Sequence, residues 1–181
     1  AFMSMLGISI LNELVRKKGI NRSNELLEEL RKRVKETLWQ TGDIQEQKDG
    51  IDMALYIIDT ETNMLDFSGA NNPLYLIREA ELTVYEPNHQ PIGIYPAEKP
   101  FTSTSFELKK GDCLYTFSDG YSDQLGGAKN QKFLVKRFRE LLIEIHTLPA
   151  EIQKLILEEK LSEWQGKVPQ MDDILVMGVK F

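Results

Sequence analysis

Apolar positions recur at helical spacing over residues 1–18, where Met3, Leu6, Ile10 and Leu14 form a stripe widened by Phe2, Met5, Leu11 and Val15. Gly19 ends this helix, and Ser23 or Asn24 is placed to cap a second one, with Glu25 suited to the positive end of its dipole. That second helix buries Leu26, Leu27, Leu30, Val34 and Leu38, while Glu28, Arg31, Lys32 and Lys35 read as a solvated face. A polar loop follows from Gln40 to Gly50, and the period then changes to strand-like alternation. Strands are predicted at Ile51–Ile58, Met64–Ser68, Leu74–Arg78, Leu82–Glu86 and Thr102–Leu108. The middle of the chain therefore reads as an antiparallel meander, interrupted by Gly69–Pro73 and by an irregular proline-rich stretch from Pro87 to Pro100.

The sharpest feature is GDCLYTFSDGYSD, from Gly111 to Asp123. A Gly-Asp turn opens it, an apolar run from Cys113 to Phe117 follows, and the run stops at Ser118, Asp119 and Gly120. Such a run reads as a buried strand that delivers a carboxylate at its end. The segment Met171 to Met177 has the complementary design, with Asp172 and Asp173 at the start of an apolar strand over 173–180. These two segments are expected to lie side by side, each lending an aspartate to one site. Between them, Gly126 and Gly127 mark a loop. A helix from Gln131 carries Phe133, Leu134, Phe138, Leu141, Leu142 and Ile145 inward. A further helix after Pro149 has Ile152, Leu155, Ile156, Leu161 and Trp164 on its apolar side.

Two helices, about six strands, two helices and one strand indicate an α+β fold, with antiparallel sheets layered between helices and not a doubly wound parallel sheet. At 181 residues and 41% hydrophobic, the chain fits a single domain over 1–181. The net charge of −6 and pI of about 5.1 argue against a nucleic-acid partner. The one cysteine, Cys113, precludes an internal disulfide, sits in an apolar strand as an inert thiol, and suits a cytoplasmic setting. His89 and His146 are the only histidines, and neither lies in a ligand-spaced motif. No nucleophile elbow or Gly-rich phosphate loop occurs. Carboxylate chemistry remains: Asp119, Asp123 and Asp172 offer hard oxygen ligands suited to Mg²⁺ or Mn²⁺. On residues alone, Asp119-Gly120 reads as a turn more often than as a ligand, and Asp172-Asp173 reads equally as a functional pair or as the start of a strand.

SGANNPLYLIR, PIGIYP, GDCLYTFSDGYSDQLGG and MDDILVMGVKF resemble, in order, the motifs of SpoIIE-type phosphatases in the metal-dependent protein phosphatase (PPM) superfamily. AFMSMLGISILNELV resembles the helix that follows this family's DxSGHGVPG motif. The resemblance implies a layered α/β/β/α sandwich and a serine/threonine phosphatase with a two-metal Mn²⁺ or Mg²⁺ site. It makes Asp119 and Asp172 metal ligands and catalytic residues, and Asp123 a ligand of an additional, weaker metal. Asp173 and Gly120 would support those ligands from behind. It also implies a phosphorylated protein substrate, such as an anti-anti-sigma factor, and an upstream sensor domain in a larger protein. The family's first two acidic motifs are expected to lie before Ala1, so this chain by itself is expected to bind metal weakly and turn over little. Their absence would expose a sheet edge and favour a homodimer. The competing expectation is a non-catalytic, phosphatase-like signalling module. Gly69–Pro73 resembles a loop near the cleft, Leu125–Lys132 a variable flap, and Lys129, Lys132, Lys136 and Arg137 are candidate contacts for a phosphorylated partner.

Overall fold

A computed structural model describes residues 2–39 and 50–181. The polar loop expected at 40–50 falls, but for Gly50, outside the described residues, as does the Phe2 side chain. The chain divides into two compact units, Ala1–Leu74 with Tyr85–Leu108, and Tyr75–Val84 with Lys109–Phe181.

The first unit contains α1 (Phe2–Lys18), α2 (Ser23–Thr37), β1 (Met53–Asp59), β2 (Met64–Ala70) and β5 (Thr104–Glu107). Its sheet has the order β1-β2-β5, antiparallel throughout. Gly19 ends α1 with φ of +57°. Leu26, Leu27, Leu30 and Val34 of α2 pack with Ile10 and Leu14 of α1, and with Ala70, Ile92 and Phe101, into one core. The α1 stripe is narrower than its sequence suggests: Met5 is 71% exposed and Val15 54% exposed, because α2 covers only the Ile10–Leu14 side. Arg31 corrects the expectation of a solvated basic face on α2. It is 5% exposed, its guanidinium lies 4.7 Å over the Phe101 ring, it donates to the Lys99 carbonyl at 3.0 Å and it pairs with Glu28 and Glu98. A flat, weakly hydrated guanidinium can be buried in this way where an ammonium cannot.

The start of α2 is also not capped as its sequence suggests. The helix begins at Ser23 without a side-chain cap from its own segment. The Ser23 N–H and hydroxyl both donate to Asp66 Oδ2 at 2.7 Å, so a carboxylate from β2 takes the place of the N-cap. The Ser105 hydroxyl donates to the other Asp66 oxygen at 2.7 Å. Partial burial pushes the Asp66 carboxyl up, but these hydrogen bonds outweigh it and hold it below the usual range. Asp66→Ala is expected to cost about 2 kcal/mol, the scale of a lost cap plus a charge-assisted bond. A lowered urea midpoint with unchanged slope would show it.

The second unit holds β3 (Leu74–Arg78), β4 (Glu81–Tyr85), β6 (Cys113–Phe117), α3 (Gly120–Asp123), β7 (Leu125–Gly126), β8 (Gln131–Lys132), α4 (Val135–Ile145), α5 (Ala150–Gln165) and β9 (Val176–Lys180). Its main sheet runs β4-β3-β6-β9, with β6 antiparallel to both neighbours. Among the described residues, the strands expected as one meander are thus divided between two separate sheets. The break falls at Asn71–Pro73, where Asn71 has φ of +59° and the Asn72 N–H turns back to the Ala70 carbonyl at 2.7 Å. Glu79 and Ala80, both at positive φ, make the two-residue turn between β3 and β4.

All five residues of β6 are buried. Cys113, Tyr115 and Phe117 share a core with Tyr121, Phe138, Leu141, Leu142 and Ile145, while Leu157 of α5 joins from the side. Phe117 meets Tyr75 and Phe138 edge-on, at 4.7 and 4.8 Å between ring centres. The Cys113 thiol donates to the His146 carbonyl at 3.1 Å, and burial raises its pKa, in keeping with an inert thiol. The buried Tyr115 hydroxyl is satisfied by Gln153 Oε1 at 2.7 Å.

The expected loop at Gly126–Gly127 is a hairpin, β7 paired with β8. A side chain at Gly126 would place Cβ 1.9 Å from the Trp164 carbonyl oxygen, so only glycine lets the hairpin lie against the end of α5. Residues 131–132 belong to that hairpin, and α4 starts only at Val135. Phe133 and Leu134 donate to the carbonyls of Gln124 and Ser122 instead of entering the helix, and Leu134 has φ of +77°. Leu134 is consequently exposed, not buried, and on α5 Ile152 and Leu155 also face solvent. The last strand is shorter than expected, beginning at Val176 rather than residue 173. Among the described residues, no helix is long and apolar enough to cross a membrane.

Candidate active site

Strand β6 ends at Phe117, which sits opposite Val176 at the start of β9. Because the two strands are antiparallel, the residues after β6 and those before β9 emerge at the same end of the sheet. Ser118 joins them. Its N–H donates to the Leu175 carbonyl at 3.0 Å, its hydroxyl donates to the Asp173 carbonyl at 2.8 Å, and the same hydroxyl accepts the Leu175 N–H at 2.9 Å. The next two residues complete the junction. Asp119 immediately precedes α3, and its carbonyl accepts the Asp123 N–H at 2.9 Å and the Ser122 hydroxyl at 3.0 Å. At Gly120 a β-carbon would lie 2.5 Å from the Asp173 carbonyl oxygen. Glycine here lets the two acidic segments touch through their backbones.

The sequence-based expectation that the SDG and DD segments lie side by side agrees with this register. Asp119, Asp172 and Asp173 are all exposed. Asp172 Oδ1 accepts the Asp173 N–H at 2.7 Å, which fixes one of its oxygens. Among the described residues the Asp119 carboxylate has no hydrogen-bond or ion-pair partner. Asp123 is different: Lys132 of β8 sits 2.6 Å from its Oδ2, so the carboxylate is occupied by an ammonium from the hairpin. Of the other basic residues near the hairpin, Arg137 stacks on the Trp164 ring at 4.4 Å. Lys136 makes only a 4.0 Å contact with Glu140.

The donor chemistry fits a hard divalent cation, since Asp119 and Asp172 present carboxylate oxygens to solvent. The donor number falls short. Among the described residues, no three His, Cys, Asp or Glu side chains form a group able to hold a metal ion. These residues therefore fit as part of a metal site, and a closed site needs oxygen donors beyond them. Ser118 was not singled out from the sequence. The available signal was its position, a hydroxyl at the first residue after a wholly buried strand, where an edge-to-edge junction has backbone groups to satisfy.

Comparison with known proteins bears on which family uses this arrangement. The sequence model of the Stage II sporulation protein E (SpoIIE) family matches residues 1–181. A comparison with curated protein sequences found no significant match. Among solved structures, the SiaA-PP2C domain of Pseudomonas aeruginosa is similar at 25% identity with a TM-score of 0.86, over 100% of this chain and 69% of that one. The PP2C phosphatase domain of the cell fate determinant SpoIIE from Bacillus subtilis, solved with a fragment of its regulatory domain, is similar at 20% identity with a TM-score of 0.75. That likeness covers 99% of this chain but only 50% of the Bacillus one. The Mycobacterium tuberculosis serine/threonine phosphatase PstP/Ppp shares the fold at 19% identity with a TM-score of 0.60, over 97% of this chain and 79% of that one. With the family match spanning every residue and the fold shared with PP2C phosphatase domains, the chain belongs to the Stage II sporulation protein E (SpoIIE) family.

Proposed function

We propose that this chain supplies part of the catalytic centre of a Mg²⁺- or Mn²⁺-dependent protein serine/threonine phosphatase in bacterial signalling. One observation carries the reading: the Ser118 junction, which sets Asp119 beside the Asp172–Asp173 segment with the Asp119 carboxylate unengaged. When bound, a divalent cation at such a site acts as a Lewis acid toward phosphoryl oxygens and lowers the pKa of its water. The residues of this chain do the rest. Asp119 and Asp172 contribute negative charge and hard oxygens, while the backbone bond to Asp173 limits rotation of Asp172. Ser118 and Gly120 keep the two segments in register. Asp123, paired with Lys132, anchors the hairpin and would serve an additional cation only after that pair opens.

In this reading residues 1–181 belong to one phosphatase domain, the substrate is a phosphoserine or phosphothreonine on a partner protein such as an anti-anti-sigma factor, and the site works in the cytoplasm under the control of a sensor domain elsewhere in the protein. A homodimer is compatible with it. Hydrolysis of a phosphoserine peptide by the full-length protein that carries this sequence, with and without Mn²⁺, tests the assignment. Activity should require Mn²⁺, and Asp119→Ala should reduce it to the metal-free background. Equal rates for the two proteins would remove Asp119 from the site. The second reading, a phosphatase-like module that binds a partner without turnover, is favoured by the incomplete donor set among the described residues. It predicts no Mn²⁺-dependent hydrolysis by any protein carrying this sequence.

A further inference from the structure

Gln124 follows Asp123 directly and is wholly buried, at 0% exposure. Its side-chain Nε2 donates to the Leu125 carbonyl and to the Pro169 carbonyl, both at 3.0 Å. Its Oε1 accepts the Met171 N–H at 3.2 Å. Its own carbonyl accepts the Phe133 N–H at 3.0 Å and the Trp164 indole N–H at 3.1 Å. One residue thus ties three things together: the hairpin β7–β8, the end of α5, and the segment that runs from Pro169 into Asp172.

We propose that Gln124 is a positioning residue for the acidic segment, its carboxamide fixing residues 169–171 so that Asp172 and Asp173 arrive against Ser118 and Gly120. Its importance for metal binding rests on the phosphatase reading above; its positioning role does not. The chemistry selects this side chain. Two carbonyls and one N–H converge on it, and a carboxamide offers two donors and one acceptor in matching directions. Rotating the amide by 180° would set N–H against N–H and oxygen against oxygen, so its orientation is fixed by its partners. An ionised glutamate has no donors, and asparagine is one methylene too short to reach both ends.

Among the described residues, the segment it holds has few other restraints. Gln165 Nε2 reaches the Val168 carbonyl and Gln170 Nε2 reaches the Asp172 carbonyl, but both are local contacts. Among the described residues, Gln124 is the buried attachment between Pro169 and the first Ser118 bond at Asp173. Losing it should let the acidic segment move while the core of β3, β6 and α4 stays intact.

Amide hydrogen exchange on the full chain tests this directly. In Gln124→Met, which keeps the side-chain length and removes every side-chain hydrogen bond while leaving those to the main-chain carbonyl, the Met171 amide should exchange roughly tenfold faster, the effect of one lost hydrogen bond. Amides of Leu114 and Tyr115 should be unchanged. Gln124→Glu keeps an acceptor for the Met171 N–H and should recover part of that protection. Unchanged exchange at Met171 would overturn the proposal, and so would uniform acceleration reaching β6, which would mean a general structural role. If Gln124→Met does not fold, Gln124→Asn gives the same comparison, with Met171 the site of lost protection. Mn²⁺-induced broadening of the Asp172 and Asp173 amides, measured in the same proteins, separates the two ideas. Its absence in the unsubstituted chain contradicts the phosphatase reading, while the exchange result still decides the role of Gln124.

Discussion

Asp112→Ala is expected to destabilise the protein by about 3 kcal/mol, the lower part of the range for breaking a buried ion pair, because Arg78 is partly exposed. At this chain length that corresponds to a fall of roughly 10 °C in Tm. Asp112 is 1% exposed. Arg78 grips it with two parallel bonds, Nε to Oδ1 at 2.8 Å and Nη2 to Oδ2 at 2.7 Å, and the Lys109 N–H adds a third at 2.8 Å. The fork joins β3 to the turn that starts β6, so it fixes the strand that presents Asp119. Burial alone would raise the Asp112 pKa, but the Arg78 bonds and the Lys109 N–H more than offset it, leaving the pKa lowered. A lowered folded-state pKa contributes stability that is fully present above the unfolded value, near 4, and is lost as pH falls through the folded value. The difference between the unsubstituted protein and Asp112→Ala in urea should therefore be largest at neutral pH and shrink on acidification below about pH 4. A difference that stays constant with pH would show that the carboxylate charge is not what stabilises the fork.

The second large effect is expected at Gly120. In Gly120→Ala the new methyl would lie 2.5 Å from the Asp173 carbonyl oxygen and 3.0 Å from its carbon. Both are backbone atoms, so no side chain can swing away to relieve the contact. Either α3 or the segment before β9 must shift, and the Ser118 hydroxyl bond to Asp173 is lost with it. An overpacked contact of this kind costs about 1–3 kcal/mol, but the larger consequence is local, since the two acidic segments are forced apart. Amide chemical shifts should change most at Ser118, Asp173 and Leu175, with the α1–α2 unit unaffected. Shifts confined to Gly120 and its immediate neighbours would mean that the close approach is dispensable.

The sequence made the site legible in outline because its two halves obey strand rules. A buried run ending in Ser118-Asp119-Gly120 and an acidic pair entering a second run could only meet at one end of an antiparallel pair, and β6 and β9 do so. The helices were legible from period, but which apolar residues they bury was not. Met5 and Val15 lie on the α1 stripe yet face solvent, because burial depends on what α2 covers and not on hydrophobicity. Arg31 shows the reverse, a charged residue buried because Phe101 and Glu98 arrive from elsewhere in the chain. Tertiary partners likewise overrode local signals at Ser23, whose hydrogen bonds go to Asp66, and at Gln131–Leu134, where a helical pattern yields to a hairpin. Layered antiparallel sheets were expected, but the point at Asn71–Pro73 where the meander passes from one sheet to the other was not legible, because a hairpin pattern says which strands are sequence neighbours and not when the chain leaves a sheet. Gln124 and Ser118 were invisible as site residues, since their roles lie in three or more hydrogen bonds to distant backbone groups.

The central claim is that Asp119 and the Asp172 segment form one cation-binding face. Titrating Mn²⁺ into the isotopically labelled chain and following amide line widths measures this most directly, because a paramagnetic ion broadens nearby signals even when it binds weakly. Broadening is expected to centre on residues 118–123 and 172–175 at the lowest Mn²⁺ additions and to be abolished when Asp119→Ala and Asp172→Ala are combined. Broadening that first appears elsewhere, or that persists at these residues in the doubly substituted chain, would contradict the claim.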